Sequence, residues 1–386
     1  MPINDAVIVS AVRTPVGVGK PGKGELSGIH PVDLSAIVLR EVTARAGVDP
    51  AVVEDVIWGC VSQVGEQSGN VGRSAVLAAG FPEDVTAVSI DRQCGSSQQA
   101  VTFAAAGVVA GHYDVVIAGG VESMSRVPMF SNMVGGDGPF SAQMLARYDN
   151  QLVPQGISAE MIAERWGLTR TQLDEIAATS HQRAAQARED GLFAEEIVPV
   201  PTDAGVVLDD QGIRPGTTVE TLAGLKTPFL ENGVVTAGNA SLISDGSAAV
   251  LVMSATKAAE LGATPLARVH TVALAGVDPV IMLTGPIPAT QRALKKAGLS
   301  IDDIGAFEVN EAFASVLAAW YAETGADPAR TNINGGAIAL GHPLGASGAR
   351  LMTTLLHQMR RSGARYGLQT MCEGGGMANA TILELL

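Results

Sequence analysis

The chain has few cysteines: Cys60, Cys94 and Cys372 among 386 residues are too sparse and too widely spaced for a disulfide framework. No CxxC pair occurs, so no structural zinc or other metal site is expected. No apolar run approaches the ~18 residues that a membrane-spanning helix needs. Basic residues are outnumbered, with 25 Lys and Arg against 39 Asp and Glu and a net charge of −14. That balance argues against a nucleic-acid or anionic-membrane partner, since both need a clustered positive field. The opening Met1-Pro2-Ile3-Asn4-Asp5-Ala6 has no basic or arginine-rich stretch, so no targeting peptide is expected. The closing Glu384-Leu385-Leu386 is not a peroxisomal tripeptide. A soluble, cytoplasmic protein follows, in which the thiol that matters is a reactive one.

Glycine and aliphatic residues are abundant. Forty-five glycines against 8 Phe, 4 Tyr and 3 Trp point to tight turns and close backbone packing, and 47% hydrophobic residues suffice for large cores. At ~150 residues per domain the length implies two to three domains. An internal duplication organises them. Ala46-Gly47-Val48 is echoed by Ala297-Gly298-Leu299 and Tyr113-Asp114-Val115 by Tyr366-Gly367-Leu368, at offsets 298 − 47 = 251 and 366 − 113 = 253. The first copy reads as strands at 5–10, 53–60, 86–90 and 114–118 with helices at 31–46 and 96–111. The second reads as strands at 307–309 and 367–371 with helices at 312–324 and 346–362. Near-continuous apolar strands such as Val115-Val116-Ile117-Ala118 suit an α/β sheet covered on both faces. The expected division is 1–120 plus about 244–264 as an N-terminal half, 121–243 as an inserted loop domain, and 265–386 as a C-terminal half. The insert, with helical pieces at 158–166 and 171–190, has no counterpart in the other copy and suits a binding surface.

Four segments hold residue types suited to chemistry. Cys94 lies between a strand and the helix start Gly95-Ser96-Ser97, where free backbone N–H groups and the helix dipole are expected to lower the thiol's pKa. That placement resembles the strand–turn–helix elbow that presents nucleophiles in α/β enzymes. The alternative fate, a buried structural cysteine, better suits Cys60 in its apolar run Val56-Ile57-Trp58-Gly59-Cys60-Val61. His342, enclosed by Gly341 and Pro343 in a glycine-rich loop, is positioned for general-base work. Cys372-Glu373-Gly374-Gly375-Gly376 ends a strand with N–H groups free to face an oxyanion. Glu308-Val309-Asn310-Glu311 ends another strand at the same edge. The repeat register places Cys94 and Cys372 at equivalent edges of the two halves, so a pseudo-twofold pairing would unite them.

With these segments in view the sequence resembles the thiolases, over essentially the whole chain. Arg92-Gln93-Cys94-Gly95-Ser96-Ser97, Asn310-Glu311-Ala312-Phe313, Gly341-His342-Pro343 and Cys372-Glu373-Gly374-Gly375-Gly376 match the family's four active-site motifs in order. The resemblance implies two similar five-layered α-β-α-β-α halves plus a loop domain. It implies that Cys94 carries the acyl group as a thioester, that His342 takes its proton and helps bind the thioester oxygen, and that Cys372 moves the proton at the substrate α-carbon or the CoA sulfur. Asn310 would hold a water that completes one oxyanion hole with His342, and the N–H groups of Cys94 and Gly374 would form the other. Ser241 matches a serine on the pantetheine arm, Arg214 an arginine near the CoA nucleotide, and Met282 the family's pocket methionine. No permanently bound cofactor is implied; CoA is a co-substrate and acyl-CoA thioesters are the ligands. The family is dimeric or tetrameric, and a hydratase/dehydrogenase partner is left open.

Two rivals are weighed. A synthase-type condensing enzyme would lack the second acid/base thiol that Cys372 supplies. A non-catalytic lipid carrier would have lost the nucleophile. Within the family, Pro154-Gln155-Gly156 stands where short-chain biosynthetic thiolases carry His-Met-Gly, and Leu283 stands where they carry Gly. Both departures favour degradative cleavage of 3-ketoacyl-CoA, with acetyl-CoA acetyltransferase as the alternative.

Overall fold

The computed structural model describes residues 5–386; residues 1–4, the start of the segment read above for targeting signals, lie outside them. The strands are β1 (Ala6–Arg13), β2 (Gly17–Val18), β3 (Asp55–Gly59), β4 (Thr86–Ile90), β5 (Val115–Ser123), β6 (Val200–Thr202), β7 (Gly205–Val207), β8 (Ser244–Ser254), β9 (Ala267–Gly276), β10 (Ala306–Val309), β11 (Tyr366–Glu373) and β12 (Met377–Leu385). The helices are α1 (Pro31–Ala46), α2 (Val71–Ala78), α3 (Ser96–Ala110), α4 (Ala142–Arg147), α5 (Gln155–Arg165), α6 (Arg170–Glu189), α7 (Val219–Ala223), α8 (Ala255–Leu261), α9 (Pro286–Ala297), α10 (Ala314–Thr324), α11 (Ala337–Leu340) and α12 (Leu344–Ser362).

The large sheet runs β10-β11-β12-β9-β1-β8-β5-β3-β4, and its middle is a short junction, Val7 opposite Arg268 and Ile8 opposite Ala267. Outward from that junction the two sides repeat. One side reads β1-β8-β5-β3-β4, with two antiparallel and then two parallel pairings. The other reads β9-β12-β11-β10, antiparallel twice and then parallel, and ends in a single parallel bridge from Phe307 to Thr331 where a fifth strand would lie. Helices α1 and α9 follow the first strand of each side, and both stop at a left-handed glycine, Gly47 (φ 65°) and Gly298 (φ 68°).

Helices α3 and α12 lie between the two sides and touch strands of both. Their small, apolar faces (Ala100, Val101, Ala104, Met352, Leu355, Leu356) build the central core against β1, β5 and β8. Helices α1 and α2 cover the outer face of one side, and α9 and α10 that of the other. The layers therefore stack α-β-α-β-α, and the two halves share the central helix layer. Two glycines let α12 approach closely enough. A Cβ on Gly345 would lie 2.6 Å from the Val121 carbonyl oxygen, and one on Gly348 would run into the Gln98 backbone nitrogen at the start of α3.

Several strands outrun their expected ends. β1 runs past position 10 to Arg13, which is fully buried, with Nε 2.8 Å from Glu196 and Nη1 2.7 Å from Asp210. β5 and β11 continue through buried Glu122 and Glu373. β3 is shorter than 53–60 because Pro50–Val52 forms a one-turn 3₁₀ helix before it. Between β5 and β8 the chain carries α4 to α7 and the β6–β7 hairpin. Among the described residues no helix is long and apolar enough to cross a membrane.

Candidate active site

Cys94 sits on a strained turn. Gln93, just before it, takes φ 49°, a left-handed value uncommon for a non-glycine residue. The turn is braced locally. Asp91 Oδ1 accepts from the Gln93 N–H at 2.6 Å, and Ser96 Oγ accepts from the Arg92 N–H (2.9 Å) while donating to the Gln93 carbonyl (2.6 Å). The Cys94 side chain is almost fully buried, at 6% exposure. Its own N–H and that of Gly374 face the sulfur and favour thiolate, as the glycine-rich turns suggest. They do not prevail. Burial, and then the Glu373 charge, push the thiol up to about 12. The expected lowering by the helix start is thus overturned, because the turn is dry. The resting thiol is neutral and needs a base.

The sequence-derived symmetry also needs correction. Cys94 precedes α3, and the residue that precedes α12, the topological equivalent of α3, is His342. Cys372 ends β11, whose equivalent is β5. Cys94 and His342 therefore occupy corresponding turns, and Cys372 comes from a different corner of the repeat. The two thiols still meet, since the Cys94 charge is among the groups that raise the pKa of Cys372, after burial.

His342 is fixed by its surroundings. Its N–H donates to the Leu242 carbonyl (3.1 Å) and to Ser244 Oγ (3.0 Å). Nδ1 lies 2.6 Å from Ser347 Oγ, which donates its own hydrogen to the Pro343 carbonyl at 2.8 Å. Ser347 must therefore accept from Nδ1–H, and that leaves Nε2 as the unprotonated nitrogen. Asn310 Nδ2 lies 3.3 Å from Nε2. Burial, with the positive Arg350 behind it, lowers the imidazole to about 3, so it stands neutral at physiological pH. Asn310 itself is held by its N–H on the Thr370 carbonyl (3.1 Å), and its Oδ1 has no partner among the described residues.

Around this centre, a cleft over Cys94 is lined by Val61, Met129, Phe130, Met133, Gln155 and Leu344. Met282 and Leu283 join Cys372, Ile338 and Phe313 in one buried apolar cluster. Ser241 is half-buried, its N–H bonded to the Ala312 carbonyl at 2.9 Å, three residues from the Ser244 that holds His342. Arg214 is exposed; its N–H donates to His181 Nδ1 (3.2 Å), and neighbouring Ile213 packs with Ala339 and Leu340 beside the His342 loop. Cys60 is buried in the outer core of the first half, as its apolar run suggests. Among the described residues no cluster of His, Cys, Asp or Glu could hold a metal ion.

Three residues near the centre have no role legible in the sequence alone. Ser347 stands among glycines one turn into α12, where nothing in the sequence reveals its aim at Nδ1. Gln155 stands out in sequence only as a departure from the short-chain pattern. Glu373 carried the plainest signal, a lone charge one residue from a thiol in an apolar strand.

Known proteins resemble this chain in sequence and in fold. The thiolase N-terminal domain family matches residues 6–256 and the thiolase C-terminal domain family residues 263–385. A steroid 3-ketoacyl-CoA thiolase of Mycobacterium tuberculosis is 51% identical, over 100% of this chain and 95% of its own length. A 3-ketoacyl-CoA thiolase of Bacillus subtilis is 43% identical over 99% and 100%. Among solved structures, the Bacillus anthracis acetyl-CoA acetyltransferase superposes with a TM-score of 0.90 at 39% identity, covering 100% of this chain and 99% of that one. The chain belongs to the thiolase family.

Proposed function

We propose that this thiolase cleaves 3-ketoacyl-CoA with CoA, giving acetyl-CoA and an acyl-CoA shorter by two carbons, in the degradation of acyl chains. His342 Nε2 takes the Cys94 proton as the sulfur attacks the ketone carbon. The resulting alkoxide is held by donors of the site and collapses, breaking the Cα–Cβ bond. The departing acetyl-CoA enolate takes its proton from Cys372, and the acyl group stays on Cys94 as a thioester. CoA then enters, gives its thiol proton to the Cys372 thiolate, and attacks the thioester; the departing Cys94 sulfur takes back the proton from His342, restoring both. The N–H groups of Cys94 and Gly374 form one oxyanion hole; His342 and a water on Asn310 form the other. Ser241 and Arg214 bind the pantetheine arm and nucleotide of CoA, and Met282 lines the acyl pocket.

The observation that carries this reading is the convergence at the buried start of the central helices. Two thiols close enough to feel each other's charge lie there with a neutral imidazole whose free nitrogen is set by Ser347. Names borne by relatives support the substrate class, including 3-ketoacyl-CoA and steroid 3-ketoacyl-CoA thiolases. Chains longer than acetoacetyl are accepted, a reading supported by the Pro154-Gln155-Gly156 and Leu283 departures from the short-chain pattern, with Gln155 lining the cleft over Cys94. The same reading takes the chain as three parts (1–120 with about 244–264; 121–243; 265–386), with CoA as co-substrate and no permanent cofactor. It places the enzyme in the cytoplasm as a homodimer or homotetramer, supported by the half-open edge strand β4 with exposed Val88. Brief incubation with an acyl-CoA followed by peptide mass spectrometry tests the core of it. The acyl mass is expected on Cys94, and finding it on Cys60 or Cys372 alone overturns the assignment.

A further inference from the structure

Two buried glutamates close corresponding strands of the two halves, Glu122 on β5 and Glu373 on β11, at an offset of 373 − 122 = 251 that repeats the duplication register. Glu122 is fully engaged. Its carboxylate accepts from the N–H groups of Val61 (3.0 Å), Ser62 (3.1 Å) and Gly345 (2.9 Å) and from Gln67 Nε2 (2.8 Å). Glu373 is equally buried, yet neither of its oxygens has a hydrogen-bond partner among the described residues. A carboxylate left dry and unbonded is costly, so its placement calls for a reason beyond packing.

Its position supplies one. Glu373 Oε1 lies against Gly95, the residue after Cys94, so closely that a Cβ on Gly95 would collide with it. Asn379 Nδ2, on the adjoining β12, donates to the Gly95 carbonyl (3.2 Å) and completes the enclosure. The charged groups that face Glu373 are Arg92 and Asp91, both on the Cys94 turn. Neighbouring Cys94 and Cys372 are titratable thiols, while β12 offers uncharged Asn379 and α3 opens on Gly95 and Ser96. Of the charges that act on the Cys94 thiol, that of Glu373 is the strongest.

We propose that Glu373 is a positioning residue for the thiolase reaction that acts through Cys94: its carboxylate, held beneath the nucleophile's turn, opposes thiolate formation, and its protonation releases that opposition. The proposal rests on Cys94 being the nucleophile. The sign follows from the charge. Burial raises the carboxyl to about 8, with Arg92 pulling it down and Asp91 pushing it up. Below that value Glu373 is neutral and leaves Cys94 alone. Above it, the negative charge repels the thiolate. Thiolate formation at Cys94 therefore rises less steeply with pH than an isolated thiol's, and the brake engages as Glu373 ionises.

The experiment follows alkylation of Cys94 by iodoacetamide, read by peptide mass spectrometry, from about pH 6 to about pH 10 in the full-length wild type and in Glu373→Gln. The two rates are expected to agree at the acid end. The variant should react faster by on the order of tenfold once the pH passes about 8, as expected for removing one close like charge. Glu373→Asp should keep the wild-type profile. A ratio between variant and wild type that stays constant across the whole range overturns the proposal, because a purely structural role would change rates without changing their pH dependence. Labelling of buried Cys60 reports unfolding; should Glu373→Gln show it, Glu373→Ile removes the charge with an apolar filling and is read the same way. Acylation of Cys94 by acyl-CoA, measured on the same samples, separates the two readings. Its absence in the wild type counts against Cys94 as nucleophile, whereas normal acylation with an unshifted profile counts against Glu373 alone.

Discussion

The two halves use one scaffold for different ends, and the ends of β5 and β11 display the difference most clearly. At the first, Glu122 is saturated with hydrogen bonds and ties the loop after β3 to the start of α12. At the second, Cys372 joins the apolar cluster of Met282, Leu283 and Ile338, and Glu373 lies unbonded against the Cys94 turn. The turns before α3 and α12 diverge likewise, one carrying a thiol and the other an imidazole. On the roles proposed above, equivalent backbone positions serve fastening in one half and chemistry in the other. Whether a buried polar group is satisfied tells the two uses apart.

The largest effects should come from the residues that differ between corresponding turns. Cys94→Ala is expected to abolish acylation and to lower thiolysis by at least on the order of 10⁴. Cys372→Ser should lose on the order of 10² to 10⁴ in turnover and in α-proton exchange of acetyl-CoA, yet still acylate Cys94. Rapid-quench acylation and deuterium exchange, measured side by side, check the pair. Equal loss of acylation in both variants would break the division of labour between the halves.

Next in size is the fastening at Glu122. Glu122→Ala strands three backbone N–H groups and an amide in the interior, so the denaturation midpoint should fall by an amount equivalent to on the order of 3 kcal/mol. Glu373→Gln removes no hydrogen bond and should shift that midpoint far less. Similar losses in both would erase the contrast between the two strand ends. A smaller effect is expected for Ser347→Ala, which leaves Nδ1 without its acceptor and the imidazole free to change tautomer. Turnover should fall by on the order of tenfold with KM nearly unchanged, the signature of a group that orients the base rather than the substrate.

The duplication was legible because its markers are local. Gly47 and Gly298 each end a helix in the left-handed region, and one glycine at one spacing signals that without reference to the rest of the chain. The catalytic segments were legible for the same reason, since their glycines and lone polar residues break apolar runs. What escaped depends on distant partners. β1 does not stop before Arg13, because Glu196 and Asp210 neutralise it from 183 and 197 residues away. β8 and β12 do not stand out from their surroundings in sequence, since a strand buried on both faces has no alternation to reveal it. The Cys94 thiol departs from the sequence expectation because the dipole that stabilises a thiolate is visible in sequence and the dryness that opposes it is not.

The last contrast concerns which side of the site measures the acyl chain. One wall is the cleft over Cys94 with Met129, Phe130 and Met133; the other is the packed cluster of Met282 and Leu283 around Cys372. Phe130 is 55% exposed and open to an incoming chain, whereas Leu283 is 1% exposed and packed on all sides. Chain length should therefore be read on the Cys94 side. Each added methylene that finds apolar surface contributes ~0.8 kcal/mol, or roughly fourfold in kcat/KM, until the wall ends. With 3-ketoacyl-CoAs of four, eight and twelve carbons and one ring-bearing substrate, kcat/KM for thiolysis should rise beyond four carbons. Phe130→Ala should flatten that rise by removing part of the wall. Leu283→Ala should cost about 2 to 5 kcal/mol of stability through the cavity it leaves, with the preferred length unchanged. A sharp maximum at four carbons, or a preferred length that follows Leu283 instead of Phe130, would move the measuring wall to the Cys372 side and the enzyme to the short-chain branch of its family.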